Sequence, residues 1–177
     1  MTDYGVWRAA MRDACDDLLR DFGARFGYEP DEHTVAGPTA AEVVAAAEAA
    51  GLPEPLAEFY RHIGQVSLPD AFNGFFIHSL RGVLANSTAG MPVRAPGLTD
   101  ANIVVFGSDG GGQLFAVDGA GAPVYLLPTG EIRDGAYLGG GLPGRVLAPT
   151  FPDFVDWLLY ALRAAATGDA DGACYPV

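Results

Sequence analysis

The chain has 177 residues, half of them apolar, and a formal net charge of −12. This length and composition suit one globular domain with an ample core and exclude a disordered chain. All ten basic residues are arginine, and the large acid excess argues against nucleic acid or an anionic membrane surface as partners and favours a basic protein.

The start of the chain carries charges early and has no apolar signal-peptide core. No run approaches the ~20 apolar residues of a membrane helix, so we expect a cytoplasmic protein without a membrane partner. Cys15 and Cys174 are too few for a disulfide framework or a zinc site, and we expect no cofactor or metal. The use of arginine alone, with much alanine and glycine, is typical of a high-GC bacterial genome.

Residues 3–26 are predicted to form a helix, because apolar residues recur there at spacings of three and four. This apolar stripe comprises Val6, Trp7, Met11, Ala14, Leu18, Phe22 and Phe26. Asp13, Asp17 and Asp21 lie on the opposite side of the predicted helix, four residues apart. Like charges at that spacing cost about 0.2–0.5 kcal/mol per pair.

Two shorter helices are predicted next. Residues 39–42 have the spacing of a capping box headed by Thr39, which predicts a helix that reaches Ala50 and ends at Gly51. Residues 52–64 place Leu56, Phe59, Tyr60 and Ile63 on one helical face, and Gly64 ends that helix.

Short apolar runs between turn residues then predict strands at 74–80, 102–108, 113–118, 123–128 and 145–149. Without helices between most of them, antiparallel pairing is expected. Residues 85–101 and 136–144 are predicted to be loops. Thr150 begins a further capping-box pattern, and the helix that follows extends to about residue 166.

The order of elements predicts a single α+β domain, with a mainly antiparallel β-sheet flanked by N-terminal helices and a C-terminal helix. We divide it into an N-terminal helix and loop (1–38) and the main α+β region (39–166), with 1–166 packing as one unit. Residues 167–177 have no packing pattern and are expected to be a flexible tail.

The glycine-rich segment 107–112 could cradle a phosphate, bind calcium or turn the chain. A P-loop needs a lysine and a following helix, whereas this segment is followed by a strand pattern. A calcium loop needs several oxygen ligands, and only Asp109 is well placed. Asp109-Gly110 is a strong hairpin signal, so we predict that Asp109 through Gly112 form a hairpin connection with at least one glycine at positive φ.

Three segments resemble the SUKH superfamily: "LPEPLAEFYRHIGQV", "IVVFGSDGGGQLFAVD" and "APTFPDFVDWLL". They are similar to its N-terminal helix motif, its central hairpin and its closing helix, in that order, over about residues 39–163. The fold positions that carry this similarity are Gly74, Asp109, Gly110, Gly112, Phe151 and Phe154. The resemblance implies a non-catalytic protein. Bacterial members are mostly immunity proteins that neutralise toxins, and fungal members include a regulator of cell-wall glucan synthesis.

No catalytic set is evident. His62 and His78 lie on predicted elements and are interpreted as structural, and His33 is expected in a solvated acidic loop. The serines lack a nucleophile elbow, and Cys15 among apolar neighbours is expected to be inert.

Three functions stay open at this point: a protein-binding module, a small-molecule-binding or regulatory domain, and an enzyme of unrecognised type. We favour an immunity protein that binds a basic toxin domain, and the sequence does not predict an oligomeric state. The expected partner-binding surface consists of Asp13, Asp17, Asp21, Asp109, Asp118, Glu131 and Asp134. The same acids could simply maintain solubility.

Overall fold

A computed structural model describes residues 2–86, 90–169 and 175. Within them lie six helices: α1 (Tyr4–Leu19), α2 (Phe22–Phe26), α3 (Ala41–Ala49), α4 (Glu54–His62), α5 (Leu80–Asn86) and α6 (Phe151–Thr167). They also contain nine strands: β1 (Thr34–Val35), β2 (Val66–Leu68), β3 (Phe75–Ile77), β4 (Ile103–Asp109), β5 (Leu114–Asp118), β6 (Val124–Leu127), β7 (Glu131–Arg133), β8 (Ala136–Gly139) and β9 (Arg145–Ala148).

The main sheet has seven strands in the order β1-β2-β3-β4-β5-β6-β9, and each neighbouring pair is antiparallel. The predicted α+β fold is therefore confirmed. Two of its strands, β1 and β2, precede residue 74, where the sequence predicted the sheet to begin. They are two and three residues long, too short to show an alternating pattern.

Both faces of the sheet are covered. Phe106 and Phe115 face the helices, where they pack with Phe59, Phe151 and Phe154 in a core of fully buried rings. The alternation of strand side chains turns a second set to the other face: Ile103, Val105, Ala116, Tyr125 and Leu127.

The second face is covered by segments that were predicted to be loops. Ala95, in the predicted loop 85–101, is fully buried there, and Arg94 forms β-bridges with Asn102 and Ala136. Strand β8 occupies the start of the predicted loop 136–144 and pairs with β7. The loop prediction was wrong for 136–139, which form β8, whereas residues 90–101 are irregular as predicted, apart from the bridges of Arg94. What the sequence did not predict is that this irregular segment packs over the sheet.

The predicted helix 3–26 is two helices. Helix α1 ends at Leu19, and Asp21 has a left-handed conformation with φ 56°. The break turns Phe22 into the core, whereas Val6 and Phe26, predicted in the apolar stripe, are 67% and 45% exposed.

The two capping predictions had different outcomes. Thr39 does not cap α3, whose N-cap is Ala40; the amide of Thr39 instead donates to the carbonyl of Tyr60. Thr150 does cap α6: its Oγ1 accepts from the amide of Asp153 at 3.2 Å and donates to the Asp153 carboxylate at 2.7 Å.

Helices α1 and α6 pack side by side on the sheet. The indole nitrogen of Trp7 donates to the carbonyl of Val155 at 2.9 Å, and Trp7 is 3% exposed. This bond fixes the register between the two helices and thereby sets which side of α1 faces outward.

Candidate functional site

The structure does not gather the predicted partner-binding acids on one surface. Asp13, Asp17 and Asp21 are exposed on and just after α1. Glu131 and Asp134 are exposed in the β7–β8 hairpin, which covers the sheet face away from the helices. These two groups therefore lie on opposite sides of the sheet.

Two further acids in the predicted surface have local structural roles. Asp118 is half-buried, and its carboxylate accepts from the amides of Ala120 and Ala122 at 2.9 and 3.2 Å. Asp109 is only 4% exposed, so its prediction as an exposed partner-binding acid was wrong.

Seven exposed acids lie on α1 and the loop after it. We call this set the α1 acidic surface: Asp13, Asp16, Asp17, Asp21, Glu29, Asp31 and Glu32. Asp16 and Glu32 line one cavity of about 380 Å³, although they are far apart in sequence. The predicted stripe included three of these seven residues. Asp16 also lies on α1, and the other three are brought to this surface by the path of the loop.

Arginines lie beside one end of this surface. Asp17 pairs with Arg20 at 2.6 Å, and both side chains are largely exposed. A second cavity, of about 600 Å³ between the ends of α1 and α6, is lined by Asp17 and Asp21 together with Arg20, Arg25 and Arg163. Arg25 donates there to the carbonyls of Leu18 and Ala166, which fixes its position without neutralising its charge. The acids with the least compensation are therefore those away from this cavity.

His33 holds the acidic loop in place. Its side chain is 1% exposed, and its Nε2 lies 3.1 Å from Oδ2 of Asp70, which also accepts from the amide of Asp31 at 2.8 Å. The predicted solvated position of His33 was therefore wrong. Asp70 lies 37 residues away, beyond the reach of a local pattern.

The carboxylate of Asp109 accepts hydrogen bonds from the backbone of the glycine-rich turn that it begins. Oδ1 of Asp109 accepts from the amides of Gly111 and Gln113 at 2.9 and 2.8 Å. The amide of Gly110 donates to the carbonyl of Gly74, and that of Gly112 donates to the carbonyl of Asp109. Because these amides have partners within the chain, the turn does not present the free N–H groups that a phosphate needs.

The predicted turn is confirmed, with a change in the role of one glycine. Gly112 and Gly74 both have φ of +82°, as a turn glycine allows. Gly110 is not among the residues with positive φ. It is required for another reason: a Cβ there would lie 1.9 Å from the carbonyl oxygen of Asn73.

The best-placed chemical pair is His78 and Ser108, whose Nε2 and Oγ lie 3.1 Å apart. Burial lowers the pKa of His78, which keeps the ring neutral at pH 7. Within the described residues no carboxylate is hydrogen-bonded to His78 to orient it, as the third member of a triad would be. Burial also raises the pKa of Cys15 to about 11, which disfavours the reactive thiolate.

In the described part of the chain, no group of three or more His, Cys, Asp or Glu residues could hold a metal ion. None of the helices described there has both the length and the apolar character that spanning a bilayer requires.

The chain was compared with models of known protein families and with curated proteins, and neither comparison finds a match.

Proposed function

We propose that this protein is a non-enzymatic protein-binding module, specifically an immunity protein that neutralises a basic toxin domain by covering it. The observation that carries the proposal is the α1 acidic surface, in which seven exposed acids occur between residues 13 and 32. The SUKH-like order of the three sequence motifs supports the same function.

The charge pattern fits a basic partner. Asp13 and Asp17 lie one helical turn apart, a like-charge spacing that costs local stability, and the ion pair of Asp17 with Arg20 offsets only part of that cost. The net charge of −12 adds a long-range field that raises the association rate of a positively charged domain. A nuclease domain, whose positive groove binds phosphates, has the matching chemistry.

The small-molecule alternative requires an apolar cavity between the sheet and the helices. Fully buried rings fill the centre of this region: Phe59, Phe106, Phe115, Phe151 and Phe154. A cavity of about 220 Å³ lies where α3 and α5 approach β4, with Leu52, Val83 and Val104 in its lining. It is smaller than the roughly 300–1,000 Å³ of typical ligand sites, which favours the protein-binding function.

The test begins with a pull-down from the native cell to identify the partner, followed by association kinetics at low and physiological salt. We expect the on-rate to fall with salt, because screening weakens the steering field. The triple variant Asp13→Asn, Asp17→Asn, Asp21→Asn should lower the low-salt on-rate by about tenfold, within the range known for steering.

A matched control removes three exposed acids from the other side of the sheet: Asp100→Asn, Glu131→Gln and Asp134→Asn. It is a close match because Glu131 pairs with Arg133, as Asp17 pairs with Arg20. An equal effect of the two triple variants would assign the steering to net charge alone. No effect of the α1 variant would remove the α1 acidic surface from the mechanism.

A further inference from the structure

Tyr175 lies against the core although no apolar pattern in the sequence around it predicts packing. Its hydroxyl donates to Oδ2 of Asp109 at 2.8 Å. Its ring is 5.3 Å from that of Trp157, at an interplanar angle of 35°. The rings of Phe75 and Phe115 each lie 6.2 Å away and nearly edge-on.

These contacts define a slot that is apolar at its walls and anionic at its end. We call it the phenol slot: Phe75, Phe115, Trp157, Asp109 and the rim residue Arg145, whose guanidinium lies 6.0 Å from the Tyr175 ring. Three aromatic walls suit a flat ring, and the carboxylate at the end requires a hydrogen-bond donor.

The slot is held in shape by contacts that do not involve Tyr175. Phe75 packs edge-on against Trp157 at 5.3 Å, and Phe115 contacts Phe154 at 5.1 Å. The site is therefore preorganised, which lowers the entropy lost when a ligand enters.

The carboxylate at the end of the slot is equally well fixed. Oδ2 of Asp109 accepts from the side-chain amides of Gln113 at 2.7 Å and Asn73 at 3.4 Å, and Oδ1 accepts from backbone amides. The Tyr175 hydroxyl is thus an additional donor to a carboxylate that the turn already positions.

The aromatic walls and the carboxylate of the phenol slot together favour a neutral phenol as its ligand. A ring without a hydroxyl leaves buried Asp109 with one donor fewer, and a negatively charged group would be repelled by its carboxylate. Burial and the hydrogen bond to Asp109 raise the pKa of Tyr175 above its ordinary value of 10.0, as expected for a phenol that is bound in its neutral form.

We propose that the phenol slot is a binding site for a tyrosine-type side chain, that Tyr175 occupies it as an internal ligand, and that an external phenol binds there when Tyr175 is removed. The ligand class is an aromatic ring with one neutral O–H donor. This inference does not depend on the proposed function, because it uses residues outside the α1 acidic surface.

The test uses the full chain with Tyr175→Ala and adds p-cresol, which reproduces the missing side chain. We expect p-cresol at ten times its Kd to raise the melting temperature of this variant by about 3–6 °C, as ligand binding to the native state requires. Toluene, which reproduces a phenylalanine side chain, should at the same concentration raise the melting temperature by less than half as much. The wild type, whose slot is filled, should show neither shift.

Two results would overturn the proposal: an equal p-cresol shift in the wild type, which places binding elsewhere, or no p-cresol shift in the folded variant. If Tyr175→Ala does not fold alone, refolding with each compound decides the same question. Recovery of folded protein with p-cresol and not with toluene supports the proposal. Equal recovery with both compounds, or recovery with neither, contradicts it. Tyr175→Phe provides a second variant, whose melting temperature must fall if the hydroxyl is bound as described.

Discussion

At the scale of single residues, the turn after β4 depends on a close approach between two backbones. Gly110 donates its amide to the carbonyl of Gly74, and its Cα lies against the carbonyl of Asn73. A side chain at position 110 would occupy space already filled by backbone, which cannot move aside as a flexible side chain can.

We predict that Gly110→Ala lowers the free energy of unfolding by about 2 kcal/mol or more, the order expected when a core contact is overpacked. Urea unfolding measures the change. Gly141→Ala is the matched control, because a Cβ at Gly141 meets nothing within 4 Å and the effect should stay within about 0.5 kcal/mol. Equal effects at the two positions would contradict the steric explanation.

The sequence allowed the turn at Asp109-Gly110 to be predicted and gave no sign that Asp109 is buried. The turn signal is local, since it depends on adjacent residues that tolerate unusual φ values. The burial of Asp109 depends on Asn73 and Tyr175, which are 36 and 66 residues away from it along the chain. Such distant partners are set by the fold and cannot be inferred from spacing.

At the scale of elements, the break between α1 and α2 shapes the candidate partner surface. Asp21 sits at the break with φ 56°, a conformation that strains most residues with a Cβ. The break places Phe22 in the core at 2% exposure and leaves the Asp21 side chain in solvent.

Replacing Asp21 by glycine should relieve this strain and raise the free energy of unfolding by about 0.5 kcal/mol, since glycine adopts positive φ readily. Asp21→Ala should lower it, because alanine keeps the Cβ and tolerates this conformation less well than aspartate. Chemical denaturation of both variants checks the prediction. A loss of stability in the glycine variant would contradict it.

Elements differed in how far the sequence could predict them. Helix α6 was predicted almost to its last residue, because it has a cap, a long apolar periodicity and a glycine at its end. Strands β1, β2 and β8 are two to four residues long, too short to show an alternating pattern, and β1 also depends on β2, a partner about 30 residues further along the chain. Within the candidate site, the acids on α1 followed helical spacing, while those in the loop depended on the buried contact between His33 and Asp70.

At the scale of the whole molecule, two buried groups on α1, Cys15 and Tyr4, make the free energy of unfolding depend on pH in the alkaline range. Burial raises the pKa of Cys15 from 9.0 to about 11, and burial together with Glu58 and Asp156 raises that of Tyr4 from 10.0 to about 12. Both groups hold their protons more tightly in the native state, so their contribution is complete below the unfolded values and is lost as pH rises.

We therefore predict that the free energy of unfolding falls between about pH 9 and 12. Cys15→Ala should make the decline between pH 9 and 11 shallower, by up to about 1.4 kcal/mol per pH unit for one proton. Urea unfolding at half-unit pH steps gives the slope, which is compared between variants in place of the absolute stability. Identical slopes would show that Cys15 does not contribute.

The bond between Trp7 and Val155 joins residues that are 148 positions apart. During synthesis at about 5–20 residues per second, roughly 7–30 s pass between the appearance of these two residues. Throughout this interval the apolar side of α1 has no α6 to cover it. We therefore expect the growing chain to be open to aggregation before α6 is made, and the aspartates on the other side of α1 to reduce it, because like charges repel neighbouring nascent chains.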